Sequence, residues 1–149
     1  MKIEQAIQQP LFKSEKEKAI LNLMYTNSWL CMKQIRFFKQ FGLSPQQYNV
    51  LRILKGQYPN SVSISIIQDR MLDKMSNASR LVDKLKKREL IERNECPKDR
   101  RQMDVMLNQK GIDLLKEIEQ HEEQLNGMMG PISKNEANTL NQLLDKLRN

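Results

Sequence analysis

The chain has 149 residues, near the modal size of a single domain, and carries 25 Lys and Arg against 18 Asp and Glu, a formal charge of +7. With 29% charged residues, a mean hydropathy of −0.67 and a pI near 9.5, it can bury a sizeable core and still present a surface suited to nucleic acid or an anionic membrane face. Two cysteines, Cys31 and Cys96, are too few for a disulfide framework and are not spaced as a metal site, and the lone His121 has no companion imidazole, so neither a structural metal nor a cofactor is expected.

The opening MKIEQAIQQPLFKSEKEK lacks the unbroken apolar core of a signal peptide, and no apolar run approaches the roughly 20 residues that span a bilayer. A cytoplasmic protein without membrane contact is expected. From Glu15 to Phe41 the spacing predicts a long helix whose Ile20, Leu23, Met24, Leu30, Cys31, Ile35, Phe38 and Phe41 spread over more than one stripe. One stretch then packs on the core and another on a second subunit, with Cys31 an inert buried thiol. Gly42 ends this helix, and Ser44-Pro45-Gln46-Gln47 starts the next with an N-cap, a proline at N1 and a glutamine at N3. Tyr48, Val50, Leu51 and Leu54 supply its buried positions, and Pro59-Asn60 breaks the chain. Ser65 to Met71 reads as the first helix of a helix-turn-helix, with Ile67 and Met71 inward and Leu72 to Met75 as the turn.

The next segment, SNASRLVDKLKKRELIERNECPKDRR from Ser76 to Arg101, is the most informative. Ala78, Leu81, Val82 and Leu85 recur at helical spacing on one side, while Asn77, Arg80, Lys84 and Lys87 follow the same period on the other, with Ser76 as N-cap. Small polar and cationic groups crowd the outer N-terminal half, where a recognition helix meets base edges; Asn suits adenine and Arg suits guanine. A solvated amphipathic helix gives the same pattern. Leu90-Ile91-Glu92-Arg93 and Met103-Asp104-Val105-Met106-Leu107 then read as two strands around a turn, Cys96-Pro97-Lys98-Asp99-Arg100-Arg101. In such a wing Asp99 holds the tip while an Arg reaches a narrow minor groove; an exposed charged hairpin is the bland alternative. Cys96 lies beside Glu95, which raises rather than lowers a thiol pKa.

After the wing, Lys110 to about Gly127 carries Ile112, Leu115, Ile118 and Leu125 at helical spacing, with HEEQ at His121 to Gln124 as a solvated face and Gly130-Pro131 as a stop. Ser133-Lys134-Asn135-Glu136 is a capping box for a last helix with an apolar stripe of Ala137, Leu140, Leu143, Leu144 and Leu147. These helices either pack with the N-terminal helix inside one chain or build a two-fold homodimer, which buries the same stripe on both copies. Charge divides accordingly. Residues 70–101 hold eleven basic and six acidic side chains, a net of +5, whereas residues 102–149 hold five basic and eight acidic, a net of −3. The acidic part should point away from phosphate.

SNASRLVDKL (Ser76 to Leu85), LIER (Leu90 to Arg93), DRR (Asp99 to Arg101) and VMLNQKGIDLL (Val105 to Leu115), in this order and spacing, resemble the MarR family of transcriptional regulators over nearly the whole chain. The resemblance implies a mainly α fold with a small β-hairpin wing. It would form one domain over 1–149, with a winged helix-turn-helix at 44–108 and dimerisation helices at 10–41 and 110–149. By resemblance, Ser76, Asn77, Ser79 and Arg80 match the base-approaching positions, Asp99 and Arg101 match the wing's Asp-x-Arg pair, and Arg101 is the minor-groove finger; Lys84, Lys98 and Arg100 complete the expected DNA contacts. Two residues depart from the family pattern. Glu89 stands where the family commonly has Gly at the end of the recognition helix, and Asn108 replaces the usual Thr before the next helix. Cys31 does not match the cysteine of the family's peroxide-sensing branch.

The expected function is sequence-specific binding of double-stranded DNA by a homodimeric regulator, a repressor on a pseudo-palindromic operator, with release by a small phenolic or lipophilic ligand, or by thiol oxidation, as the resemblance implies. Tyr25, Trp29, Phe38 and Tyr48 are candidate effector-pocket residues, although core packing explains the same residues more readily. No glycine-rich phosphate loop, G-x-S-x-G elbow or H-E-x-x-H occurs, and Asp113 with Glu117 and Glu119 with Glu123 are helix-surface repeats, so catalysis is not expected. Two alternatives stay open: a sequence-tolerant nucleic-acid or nucleoid protein, and a protein adaptor. Residues 70–101 contain no Phe, Tyr or Trp on which single-stranded bases would stack, which favours duplex DNA.

Overall fold

Helices dominate the computed structural model, which describes residues 1–95 and 103–149. A short helix α1 (Ile3–Ala6) precedes the long α2 (Glu15–Lys39), whose N-cap Ser14 accepts the Glu17 N–H. Ile3 is buried, and Glu4 pairs with Lys18 of α2 at 2.6 Å. That hydrogen bond holds the Glu4 carboxyl below the usual carboxylate range and raises the Lys18 ammonium. Only Phe37 and Phe38 of α2 are buried. The helix stops before the predicted Phe41, and the chain turns at Gly42, whose φ of 65° is left-handed and costs glycine no Cβ clash. Ser44 and Gln47 then close a capping box at the head of α3 (Pro45–Lys55), with Pro45 in the first turn.

An unpredicted two-residue strand, β1 (Val62–Ser63), leads into α4 (Ile64–Arg70). The predicted start at Ser65 is late because the Ser63 hydroxyl accepts the Ile66 N–H at 3.3 Å and caps the helix. Then follow α5 (Ala78–Lys87), β2 (Ile91–Glu95) and β3 (Met103–Leu107). The sheet order is β1-β3-β2, all antiparallel, with Ile91 opposite Leu107 and both Arg93 and Val62 opposite Val105. One core unites Phe38, Leu51, Leu54, Ile67, Met71, Val82, Leu85, Val105, Leu107, Leu115 and Ile118. Inward Ile67, Met71, Val82 and Leu85 are as the periodicity predicts. Tyr48 is half-buried against this core.

The predicted helix from Lys110 to Gly127 is not continuous. It divides into α6 (Gln109–Glu119), α7 (Glu122–Asn126) and a 3-10 turn, Gly127–Met129. At the break His121 leaves helical geometry with φ −105° and ψ 21°, and its ring lies 5.6 Å from that of Phe41. The solvated reading of His121 is therefore corrected: the imidazole is half-buried on an aromatic neighbour. Glu119 pairs with both Lys55 and Arg52 of α3. The last helix, α8 (Lys134–Arg148), has the expected Ser133–Glu136 capping box yet buries none of its residues. Cys31 is exposed, contrary to expectation, because α2 buries only Phe37 and Phe38, at its C-terminal end, and the thiol lies earlier on the helix. Among the described residues no helix is long and apolar enough to cross a membrane.

Candidate nucleic-acid interface

The recognition segment is built from its buried side. Ala78, Val82 and Leu85 are almost completely buried, which orients α5 and leaves Ser79, Arg80, Lys84 and Lys87 exposed on the outer side. The N-cap is Asn77, not Ser76 as predicted: the Asn77 Oδ1 accepts the Arg80 N–H at 3.0 Å. The cause lies on α4. Gln68, which the sequence reading passed over, accepts the Ala78 N–H on its Oε1 at 2.9 Å and donates from Nε2 to the Ser76 carbonyl at 2.9 Å. One amide thus fixes the entry of α5 and sets the two helices of the motif at a defined angle. Ser76 is half-buried, and its hydroxyl finds no hydrogen-bond partner among the described residues.

The turn between α4 and α5 is held as firmly. Asn49 of α3 accepts the Leu72 N–H at 2.9 Å, and Asp73 accepts the N–H of Met75 at 3.0 Å. The first bond ties the turn to α3 behind it and the second closes the turn on itself, and both satisfy backbone donors that a mobile loop would leave to water. Leu72 and Met75 stay exposed at 87% and 94%, so the outer surface of the motif mixes cationic, small polar and apolar groups.

At its other end α5 closes through a left-handed residue. Glu89 has φ 58°, its N–H donates to the Lys86 carbonyl at 2.8 Å, and the Leu90 N–H donates to the Leu85 carbonyl at 3.2 Å. This pair of bonds is a Schellman closure, with buried Leu85 and Leu90 on its apolar side. The left-handed cap that would suit Gly is thus adopted by Glu89, which bears the steric cost. The substituted Asn108 also serves well: its Oδ1 accepts the Gly111 N–H at 2.9 Å and its Nδ2 donates to the Glu89 carbonyl at 2.7 Å. Arg93 on β2 pairs with Asp83 of α5 at 2.8 Å, which ties the wing strand to the recognition helix and withdraws one cation from the predicted basic surface.

The wing residues Lys98, Asp99, Arg100 and Arg101, together with Cys96, lie outside the described residues. The four aromatic effector candidates divide into two places. Tyr25 and Trp29 line an open groove of about 370 Å³ between α1 and α2, together with Met1, Ile3, Ala6 and Asn22. Phe38 and Tyr48 instead stack with ring centroids 4.3 Å apart, and neither lines that groove.

A helix-turn-helix anchored on a buried core and followed by an antiparallel strand pair defines a winged helix-turn-helix protein. The family model of the MarR family matches residues 43–103. The transcriptional repressor MprA of Escherichia coli (strain K12) is 30% identical over 126 residues, covering 83% of this chain and 71% of that protein. The crystal structure of a MarR transcription factor from Planctomyces limnophilus is 32% identical with a TM-score of 0.65, covering 93% of this chain and 98% of the other. The Streptomyces coelicolor MarR-family regulator Sco3205, solved in complex with DNA, shares the fold at a TM-score of 0.78 and 16% identity, over 94% of this chain and 90% of the other. The chain belongs to the MarR family of transcriptional regulators.

Proposed function

We propose that this regulator is a homodimeric repressor that binds a pseudo-palindromic operator in duplex DNA, with α5 in the major groove. The observation that carries the reading is the exposed row Ser79, Arg80 and Lys84 on a helix whose entry is fixed by Gln68 and Asn77. Rigid placement matters because a bidentate contact to a base edge tolerates little displacement. Asn77 contributes as cap first and as base contact second, since one of its oxygen's lone pairs is committed to Arg80 N–H. Ser76 lies at the same helix entry. Lys98, Asp99, Arg100 and Arg101 form the minor-groove probe in this reading.

The dimer supplies the second half of the operator. Ile20, Met24, Met32 and Ile35 of α2 are more than half exposed, as are Leu143 and Leu147 of α8. A two-fold pairing covers both sets at once and places two recognition helices about one DNA turn, roughly 10 base pairs, apart. A small lipophilic or phenolic ligand in the Tyr25–Trp29 groove releases the operator by altering this pairing. The groove volume of about 370 Å³ falls within the size of small-molecule sites, whereas Phe38 and Tyr48 act as core.

Selection of binding sites from random duplex DNA tests the reading. A two-fold symmetric motif is the expected result. Flat enrichment points to sequence-tolerant packaging, and no retained DNA points to a protein adaptor.

A further inference from the structure

We propose that Arg88 is a positioning residue that locks the recognition helix to the end of α2 and thereby sets the separation of the two reading heads. The inference rests on the reading of the chain as a homodimer on a two-fold operator. Arg88 follows the last turn of α5 as its C-cap. Its neighbours Lys84, Lys86 and Lys87 are exposed, but Arg88 is half-buried and folds back across the chain. Its Nη1 donates to the Gly42 carbonyl at 2.5 Å and its Nη2 to the Phe41 carbonyl at 3.2 Å. Among the described residues these are the hydrogen bonds that join α5 to the turn closing α2.

The chemistry of the contact suits a lock. The carbonyls at a helix C-terminus lack intrahelical donors and carry the negative end of the macrodipole. Arg88 stands at the C-terminal end of α5 and bonds the Phe41 and Gly42 carbonyls just past the Gln40 C-cap of α2, so its positive charge sits near the negative ends of both helices. Its planar fork engages two oxygens together, which an ammonium cannot do with the same geometry. The receiving turn is shaped for it: Gly42 adopts φ 65°, and a Cβ there would stand 3.1 Å from the Arg88 Nη2.

The consequence follows from where α2 goes. Between Ile20 and Ile35 it carries the exposed Ile20, Met24, Met32 and Ile35 assigned to the seam, and its far end carries the Phe41–Gly42 turn. A displacement of the seam is therefore passed along one helix to Arg88 and then to α5. Two-fold symmetry applies the same displacement to both copies, so it counts twice in the distance between heads.

The experiment uses the full-length protein, as wild type, Arg88→Ala and Arg88→Lys. Its probes are duplexes whose half-sites stand at the selected spacing, at one and two base pairs more or less, and a duplex with a single half-site. Urea midpoints and sedimentation establish folding and dimerisation. Wild type is expected to prefer one spacing by about tenfold or more, and Arg88→Ala to lower that preference to about threefold or less with single half-site binding within about twofold, as a loss of coupling rather than of contact requires. Arg88→Lys should fall between them. In a Cys31→Ser, Cys96→Ser background, spin labels at Lys86→Cys should show a broader distance distribution between the two copies when Arg88 is replaced by Ala.

An unchanged spacing preference in a folded dimer overturns the proposal. So does an equal loss on single and paired half-sites with a salt slope reduced by about one, the signature of a phosphate contact, or failure of both variants to fold. Absence of any spacing preference in wild type removes the dimeric operator reading and this inference with it; a preference retained by the variants removes the inference alone.

Discussion

Arg80 leaves the exposed side of α5 in its first turn, with its own N–H held by the Asn77 cap, so its guanidinium starts from a fixed backbone. Arg80→Ala should cost about 1–3 kcal/mol of operator affinity and relax base preference at one position, as expected for a lost guanine fork. Fluorescence titration on single-base operator variants measures this; a loss equal on all sequences would reduce Arg80 to a phosphate contact. Two other residues show what single positions demand. A Cβ on Gly111 would lie 2.1 Å from the Leu90 carbonyl oxygen, so Gly111→Ala must displace backbone and should destabilise by about 2–3 kcal/mol. Glu89→Gly should instead raise stability by about 0.5–1 kcal/mol, since the left-handed residue loses its Cβ strain and the gain exceeds the added freedom of the unfolded chain. Urea denaturation reads both signs. The sequence displays Glu89 as a departure from pattern, because a helix end is a local event. It conceals the reason for Gly111, because the contact comes from a carbonyl 21 residues away in the chain.

Elements were legible where a period is long enough to repeat. The stripe Ala78, Leu81, Val82, Leu85 and the heads of α3 and α8 needed nothing beyond local spacing and caps. β1 has two residues, too few for alternation to register, and exists because β3 offers it a partner edge. The choice between Ser76 and Asn77 as cap was also not local: both side chains cap well, and Gln68 on another helix decides by binding the Ala78 N–H and the Ser76 carbonyl. The small helix α1 is tied to α2 by Glu4 and Lys18, and its attachment should depend on pH. The Glu4 carboxyl is depressed by its hydrogen bond to Lys18, so its contribution is present above the usual carboxylate pKa and is lost as pH falls through the lowered one. The Lys18 ammonium is raised by the same bond, so its contribution is present below the usual lysine pKa and is lost as pH rises through the raised one. Trp29, the sole tryptophan, lines the groove beside α1 and should report undocking at both extremes by a change in fluorescence. Glu4→Gln should flatten the acid limb; an unaltered limb would assign that change to another part of the fold.

At the scale of the whole molecule, the proposed DNA-reading part lies in the middle of the chain and the uncovered helices lie towards its two ends. The core joins α3, α4, α5, α6 and the sheet around Leu51, Ile67, Val82 and Val105, whereas α8 buries nothing and most of α2 is exposed. A helix of 15 residues with Leu143 at 60% and Leu147 at 67% exposure gains little from propensity alone, since isolated helices of such length are marginal in water. In the proposed dimer its stability comes from covering that stripe, at about 25 cal/mol per Å² of apolar surface removed from water. Charges placed on the stripe should therefore act on assembly rather than on the reading head. The double variant Leu143→Glu, Leu147→Glu should sediment as a monomer while the urea transition of the core remains. Its affinity for a full operator should then drop by about 10²–10⁴-fold, the advantage that linkage of two sites confers, with binding to a single half-site preserved. Sedimentation velocity and paired titrations decide the matter: a variant that remains dimeric and keeps full operator affinity would exclude α8 from the seam and leave α2 as the element that joins the two copies.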